Sequence, residues 1–294
     1  MKKILLIVSS TLMLANSFLA QESDDDKKFH LGLKVIAQPS WFKSNDNNAS
    51  KLGAGFGYGF GLVTEFRLNK TAYFVTGIGG DFEKGSIKYK YDPATLSGNV
   101  GYSVGYALDG AGDLKTVKNN TNELTYISNG DVKYNGIIER KIKTTHITVP
   151  ILLKMMTKEI SGFKYFGMFG GEIGIRIKAR AEDKYTSSTF NSNGVLVNSL
   201  AGGTNPNINI NKDAAIIPIR VGMNVGIGTQ YRFSGSTSLF LSVNYFHSFT
   251  NLMRRESKYM TYNINRDNNG DLIYYNVKQS LVMNAVRINI GILF

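Results

Sequence analysis

Between residues 53 and 68 the chain alternates strictly. Phe56, Tyr58, Phe60, Leu62, Phe66 and Leu68 occupy the even positions, while Gly55, Gly57, Gly59, Gly61, Val63, Glu65 and Arg67 occupy the odd ones. A period of two predicts a β-strand with one large apolar face and one small or charged face. The same alternation returns seven more times. A first strand covers 29–38, with Phe29, Leu31, Leu33 and Val35 opposite His30, Gly32 and Lys34. A third covers 72–83, with Phe74, Ile78 and Phe82 opposite Asp81 and Glu83; its register stays open because Tyr73 and Val75 are also large. The fourth, 142–156, sets Ile147, Val149, Ile151, Leu153 and Met155 against His146, Thr148, Pro150, Leu152 and Lys154. The fifth, 163–180, sets Phe163, Tyr165, Phe169, Ile173, Ile175 and Ile177 against Lys164, Glu172, Arg176, Lys178 and Arg180. The sixth, 217–232, sets Ile219, Val221, Met223, Val225 and Ile227 against Arg220, Asn224, Gln230 and Arg232. The seventh carries Leu239, Leu241, Val243 and Tyr245, and the eighth, 282–294, sets Val286, Ile288, Ile290, Ile292 and Phe294 against Arg287 and Asn289.

Strands this long, with an aromatic and aliphatic face outward and a polar face inward, suit lipid outside and a polar lumen inside. The connections agree. Those after strands 1, 3, 5 and 7 (39–52, 84–140, 182–212 and 251–278) are long, polar and rich in Asn, Gly and Ser. Those after strands 2, 4 and 6 are short turns at 69–70, 157–162 and 234–236. Alternating long and short ends describe an antiparallel membrane barrel with long loops outside and tight turns in the periplasm, which places both termini in the periplasm. Eight strands close without an edge. The pieces around Ile87–Tyr91 and Val100–Tyr106 predict further β-structure inside 84–140 and leave a ten-stranded alternative open.

Residues 1–20 change the compartment. Lys2 and Lys3 precede an apolar run from Ile4 to Leu14, and Ser17-Phe18-Leu19-Ala20 supplies small residues at the cleavage positions, so a signal peptide cleaved after Ala20 is expected. Residues 21–28 are a charged periplasmic lead, and 29–294 are the barrel. The 294 residues contain 31 Gly and no Cys, which removes disulfide and thiolate chemistry. The formal charge of +12 falls to +10 without Lys2 and Lys3. No basic helix carries this charge, so nucleic acid is not an expected partner, whereas anionic lipid headgroups or a charged lumen account for it.

The residues resemble the PorT-like outer-membrane β-barrel family of Bacteroidota. The resemblance rests on the glycine-aromatic second strand, the stretch His146-Ile147-Thr148-Val149-Pro150-Ile151-Leu152-Leu153-Lys154, the Gly-rich fifth and sixth strands, and the terminal Ile290-Gly291-Ile292-Leu293-Phe294. It implies an outer-membrane barrel with Phe294 as the signal by which the insertion machinery recognises the chain. It implies no catalytic residue. One branch of the family serves in protein secretion and gliding-linked export, and the long 84–140 region departs from its compact members.

Candidate chemistry follows from the inward charges. Lys34, Glu65, Arg67, Lys154, Glu172, Arg176, Arg220, Arg232 and Arg287, with Asp81, Glu83, Lys178 and Arg180, are expected to form a lumen charge network. An eight-stranded interior is only wide enough for side chains, so a hydrogen-bonded plug is the expected arrangement and a transport path the alternative. His30, His146 and His247 are the only histidines. Two lie on lumen faces and the third has Phe249 as its same-face neighbour, so no Ser–His pairing for a lipase or acyltransferase is set by the pattern. Asn265, Asp267, Asn269 and Gly270 imitate the offsets of a calcium loop, but Asn276 stands where the bidentate Glu belongs, and a hairpin turn is expected instead. No helix follows the glycines of 53–61, so they form no dinucleotide site. No metal or cofactor is expected. The tyrosines of 84–140 suit an extracellular platform for protein partners. The expected role is non-enzymatic: a structural or interaction barrel, such as an accessory subunit of a larger outer-membrane complex. The alternatives are a narrow solute channel and a component of the Bacteroidota secretion machinery.

Overall fold

The structure, a computed structural model, describes residues 28–44, 49–89, 104–108, 123–125, 132–190, 196–210, 216–254, 256–266, 272–278 and 280–294. Eight strands form the wall: β1 (Phe29–Ser44), β2 (Ala49–Arg67), β3 (Ala72–Tyr89), β6 (Val132–Met156), β7 (Phe163–Phe190), β9 (Ile219–Ser234), β10 (Thr237–Ser248) and β13 (Leu281–Leu293). Each pairs antiparallel with the next, and β13 pairs back onto β1, so the ring closes on itself. Closure leaves no unpaired edge in the wall, the condition a sheet must meet in lipid. The ten-stranded alternative is thereby corrected. The short strands β4 (Val104–Leu108) and β5 (Glu123–Thr125), together with β8 (Leu196–Asn209), β11 (Glu256–Arg266) and β12 (Leu272–Lys278), lie outside the ring.

The alternation in the sequence becomes the two faces of this wall. Leu33, Val35, Phe60, Leu62, Ile151, Phe169, Ile175, Val225, Leu241 and Ile290 all point outward and are exposed, where lipid replaces water. The register left open in β3 is settled. Tyr73, Val75, Asp81 and Glu83 are all buried in the lumen, and Ile78 faces out. Tyr73 and Val75 pack with Val63, Leu152, Phe166 and Leu293, an apolar jacket around the charges carried by their register partners Lys154 and Glu65.

Several stretches read as loops are strands. β1 runs on through Pro39 and Trp41, which pair with Phe56 and Ala54 of β2. β6 begins at Val132, ten residues before the expected start, and β7 continues to Phe190, where β8 pairs with it. β11 and β12 pair as an antiparallel hairpin, as the Asn-Gly-Asp turn suggested, although that turn at 267–271 lies outside the described residues. The reason is common to all of them. Beyond the membrane both faces of a sheet can meet water, so the apolar alternation fades while the backbone pairing continues.

The inward glycines give space rather than flexibility. A Cβ on Gly222 would come within 2.6 Å of the Phe246 ring, and one on Gly228 within 2.5 Å of the Phe166 ring. Gly291 seats Phe240, and Gly85 seats Phe42, in the same way. Each bare strand segment lets an aromatic ring from a nearby strand lie flat across the lumen. The greasy–glycine alternation is thus a packing code for a narrow barrel.

Candidate functional site

The lumen is filled in three layers along its described length. At the end with the three short turns, Lys154 Nζ donates to Glu65 Oε1 at 2.7 Å and Oε2 at 3.0 Å, and to Gln230 Oε1 at 3.1 Å. The same ammonium sits 4.3 Å from the centre of the Phe166 ring, a cation–π contact. β2, β6 and β9 place these groups opposite one another across the barrel, and all are buried.

The middle layer is larger. Arg287 of β13 donates to Glu172 Oε2 at 2.5 Å, to Asp81 Oδ2 at 3.0 Å and to Gln38 Oε1 at 2.9 Å. Arg220 of β9 donates to Glu172 Oε1 at 2.9 Å and also to Glu83. Both guanidiniums stack on one face or other of Phe246, at 4.6 Å for Arg220 and 4.3 Å for Arg287. Lys34 enters the same layer, with Asp81 and Glu172 as its neighbouring carboxylates. His146 Nδ1 lies 3.1 Å from Glu83 Oε2 without the alignment of a hydrogen bond. An amide ladder of Asn224, Asn244, Ser242 and Asn289 continues the layer, with hydrogen bonds of 2.9–3.0 Å. Two arginines and a lysine therefore face three carboxylates. Buried charges are tolerated only when so paired and hydrogen-bonded.

The third layer lies at the long-loop end and is mostly apolar. Phe42, Ile87, Ile137, Ile142 and Met283 pack there with Ile216, Leu252 and Met253. The last three come from segments outside the wall strands, held by a bridge between Ile216 and Met253. Beside them Arg140 and Asp183 form a fully buried bidentate pair, at 2.7 and 2.6 Å. A cavity of about 30 Å³ remains between the first two layers, room for about one water molecule.

Of the charges expected in one lumen network, the structure brings Lys34, Glu172, Arg220 and Arg287 together, and it pairs Glu65 with Lys154 separately. Arg67, Arg176 and Arg232 are corrected. Arg67 Nε reaches the Asn69 carbonyl at the rim, and Arg232 reaches Glu159 of a short turn at 3.4 Å. Arg176 donates to the Ile216 carbonyl at 2.6 Å, at the other end. Arg67 and Arg232 stand near strand ends that open into water and find a turn there, whereas Arg176, midway along β7, is taken up by a carbonyl of the segment packed into the long-loop end. Lys178 and Arg180 are corrected as well. Thr145 pairs with Lys178 while His146 pairs with Arg176, so Ile177 is an extra residue, a β-bulge. Past it the phase of β7 inverts: Ala179, Ala181 and Asp183 face in, and Lys178 faces out.

Sequence reasoning missed the Arg140–Asp183 pair, because both residues fell in stretches read as loop or loop edge. It also missed Gln38, which the loop boundary at 39 left without a role. His30 is buried beside Tyr73. His247 Nδ1 lies 2.6 Å from Asn284 Oδ1, which also accepts from the Tyr245 hydroxyl at 2.9 Å. Asn265 and Asn276 sit in β11 and β12, Asn276 opposite Thr261; Asp267, Asn269 and Gly270 lie outside the described residues. The Phe294 amide donates to the Leu31 carbonyl at 2.8 Å, tying the last residue to β1.

No curated protein matches the chain by sequence. Among solved structures it is similar to Ail, the attachment invasion locus protein of Yersinia pestis, at 10% identity over 91% of this chain and 100% of that one, with a TM-score of 0.30. It is similar to the outer membrane protein OprG of Pseudomonas aeruginosa at 9% identity, over 92% and 99%, with a TM-score of 0.37. The outer membrane protease OmpT of Escherichia coli gives 8% identity over 94% and 98%, with a TM-score of 0.29. A family model described as an outer membrane protein beta-barrel domain matches residues 19–254. The closed antiparallel wall with apolar residues outside fits that description, and the chain belongs to this family of outer membrane β-barrel proteins.

Proposed function

We propose that this outer-membrane barrel is a sealed, non-enzymatic scaffold that carries β-structure beyond the membrane for a protein partner. The observation that supports it is the three-layer lumen, in which Arg140, Arg220 and Arg287 are already committed to carboxylates and the cavity between the first two layers holds about one water. A conducting pore needs a continuous wet path, and a catalytic centre needs a reactive group left uncommitted. In this reading the short-turn end, with both termini, faces the periplasm, and the long-loop end faces outward. The β11–β12 hairpin with β4 and β5 on one flank, and β8 on the other, form the displayed surface. The resemblance to the PorT-like family makes an accessory subunit of a larger outer-membrane complex, including the Bacteroidota secretion machinery, the partner class to test.

Planar-bilayer recording of the refolded barrel tests the seal. No unitary conductance steps are expected, and reproducible, salt-dependent steps would overturn it. Purification in mild detergent from the source membrane, followed by mass spectrometry, tests the partner. Stoichiometric co-purifying protein is expected, while a barrel recovered alone would overturn the subunit reading.

A further inference from the structure

At the long-loop end, the outer wall of β3, β6 and β7 passes from apolar residues to cations: Phe82 gives way to Lys84 on β3, Ile147 through Thr145 to Lys143 on β6, and Ile177 to Lys178 on β7. Ile147, Ile175 and Ile177 are exposed on the apolar belt. Beyond them, with Thr145 intervening on β6, the outward positions are Lys84 on β3, Lys143 and Lys141 on β6, and Lys178 and Arg180 on β7. The strand register aligns them. Lys84 is the partner of Lys143, and Lys143 is the partner of Arg180, so three cations stand in one row across three adjacent strands. Like charges directly opposite one another oppose sheet pairing unless an anion sits among them.

Among the described residues, the chain supplies only part of that anion. Glu182 contacts Lys141 at 3.2 Å and Lys143 at 3.5 Å. Among the described residues, neither Lys84 nor Lys178 has a carboxylate within ion-pair distance. The opposite side of the same rim is mainly aromatic, with Trp41, Tyr245, His247 and Phe249 facing out and Lys43 the cation among them. The bulge at Ile177 makes the difference. Without it Lys178 and Arg180 would point into the lumen; with it they join Lys143 on the outer wall.

We propose that this face of β3, β6 and β7 binds the phosphate groups of an anionic membrane lipid, with the lipid's acyl chains lying on Ile147, Ile175 and Ile177. Lys and Arg meet phosphate oxygens through charge-assisted hydrogen bonds, and basic residues at a membrane border attract anionic headgroups. A lipid is favoured over a soluble polyanion because cations and belt are continuous. One amphipathic molecule satisfies both, at the depth where its headgroup lies. The proposal rests on the barrel's place in a membrane and not on whether its lumen is sealed.

The test uses the refolded full-length barrel in phosphatidylcholine discs doped with diphosphorylated lipid A or its dephosphorylated form, with retained lipid counted by native mass spectrometry. A heat-modifiable gel band checks folding of every variant. Wild type is expected to retain the phosphorylated lipid selectively. The K84Q/K143Q/R180Q variant should bind it roughly a hundredfold more weakly, at about fivefold per cation removed near the surface. The K70Q/K158Q variant, at the opposite end, should match wild type. If the triple variant does not fold, K84Q/K178Q serves, with an expected loss of roughly twenty-five-fold. Equal retention of both lipid forms, or wild-type retention by a folded variant, would overturn the proposal. So would variant-sensitive binding of inositol hexaphosphate in detergent with lipid retention unchanged, which would assign the face to a soluble polyanion.

Discussion

The middle of the lumen and the outer wall beyond the belt use the same side chains to opposite ends. Inside, Arg220 and Arg287 share Asp81, Glu83 and Glu172, each guanidinium is fixed by several acceptors, and both lie over the Phe246 ring. Outside, Glu182 alone answers Lys141 and Lys143, and those lysines remain about half exposed. The inner cluster is dry and over-determined, so its charges hold strands together across the barrel. The outer cluster is wet and cation-rich, so it holds little of the fold and is open to a ligand. Residue type does not distinguish the two; the number of fixed partners and the access of water do.

The largest effect should come from the inner cluster. Arg287→Met leaves Glu172 and Asp81 buried without that cation, and is expected to cost about 3–5 kcal/mol of unfolding free energy. Urea unfolding in lipid vesicles measures it, and a loss no greater than that of an outer-wall variant would erase the contrast drawn above. The Glu65–Lys154 pair sharpens the point. Each single change to Met should cost about 3 kcal/mol or more, whereas the double change, which removes both charges, should cost far less. A double-mutant cycle reads the coupling directly.

Packing comes next. Gly222→Val drives a methyl into the Phe246 ring that carries both arginines, and about 1–3 kcal/mol is expected by the same unfolding assay. Adding Phe246→Leu should recover part of that loss, while a wholly additive double variant would show that the ring does not depend on the glycine.

The smallest effect belongs to the outer wall. Glu182→Gln should change stability by less than about 1 kcal/mol, and salt should reduce even that. The Lys141 ammonium hydrogen-bonded to Glu182 holds its carboxyl below the usual carboxylate range. A carboxyl whose folded pKa is lowered contributes fully above its unfolded value, and the contribution fades as pH falls through the lowered value. Comparing wild type and E182Q by acid titration should therefore show any difference closing only on the acid side of an ordinary carboxylate. A difference that grew there would contradict the pairing.

How much of this was legible depended on the residue's surroundings. Val225, Ile227, Phe60 and Leu62 announced the lipid face because lipid demands an apolar residue at every second position. Asp81, Glu83, Glu172, Arg220 and Arg287 announced the lumen by the same alternation. The extension of β6 back to Val132 was not legible, since its flanks answer to water on both sides. Nor was the Ile177 bulge, which needs only one residue more than the partner strand and leaves no mark in composition.

The chain's own pattern thus determined the barrel and its inward and outward faces, because a two-residue period and a lipid solvent leave few alternatives, while the choice of eight strands over ten waited for the closed ring. Only the closed structure decided which charges meet. Arg287 and Glu172 are 115 residues apart in sequence, and Arg220 and Glu83 are 137 apart. Their pairing depends on strand register around the whole ring, and on Gly222, which leaves room for the Phe246 ring under both guanidiniums. It also depends on one bulge that turns Lys178 and Arg180 from the lumen to the membrane.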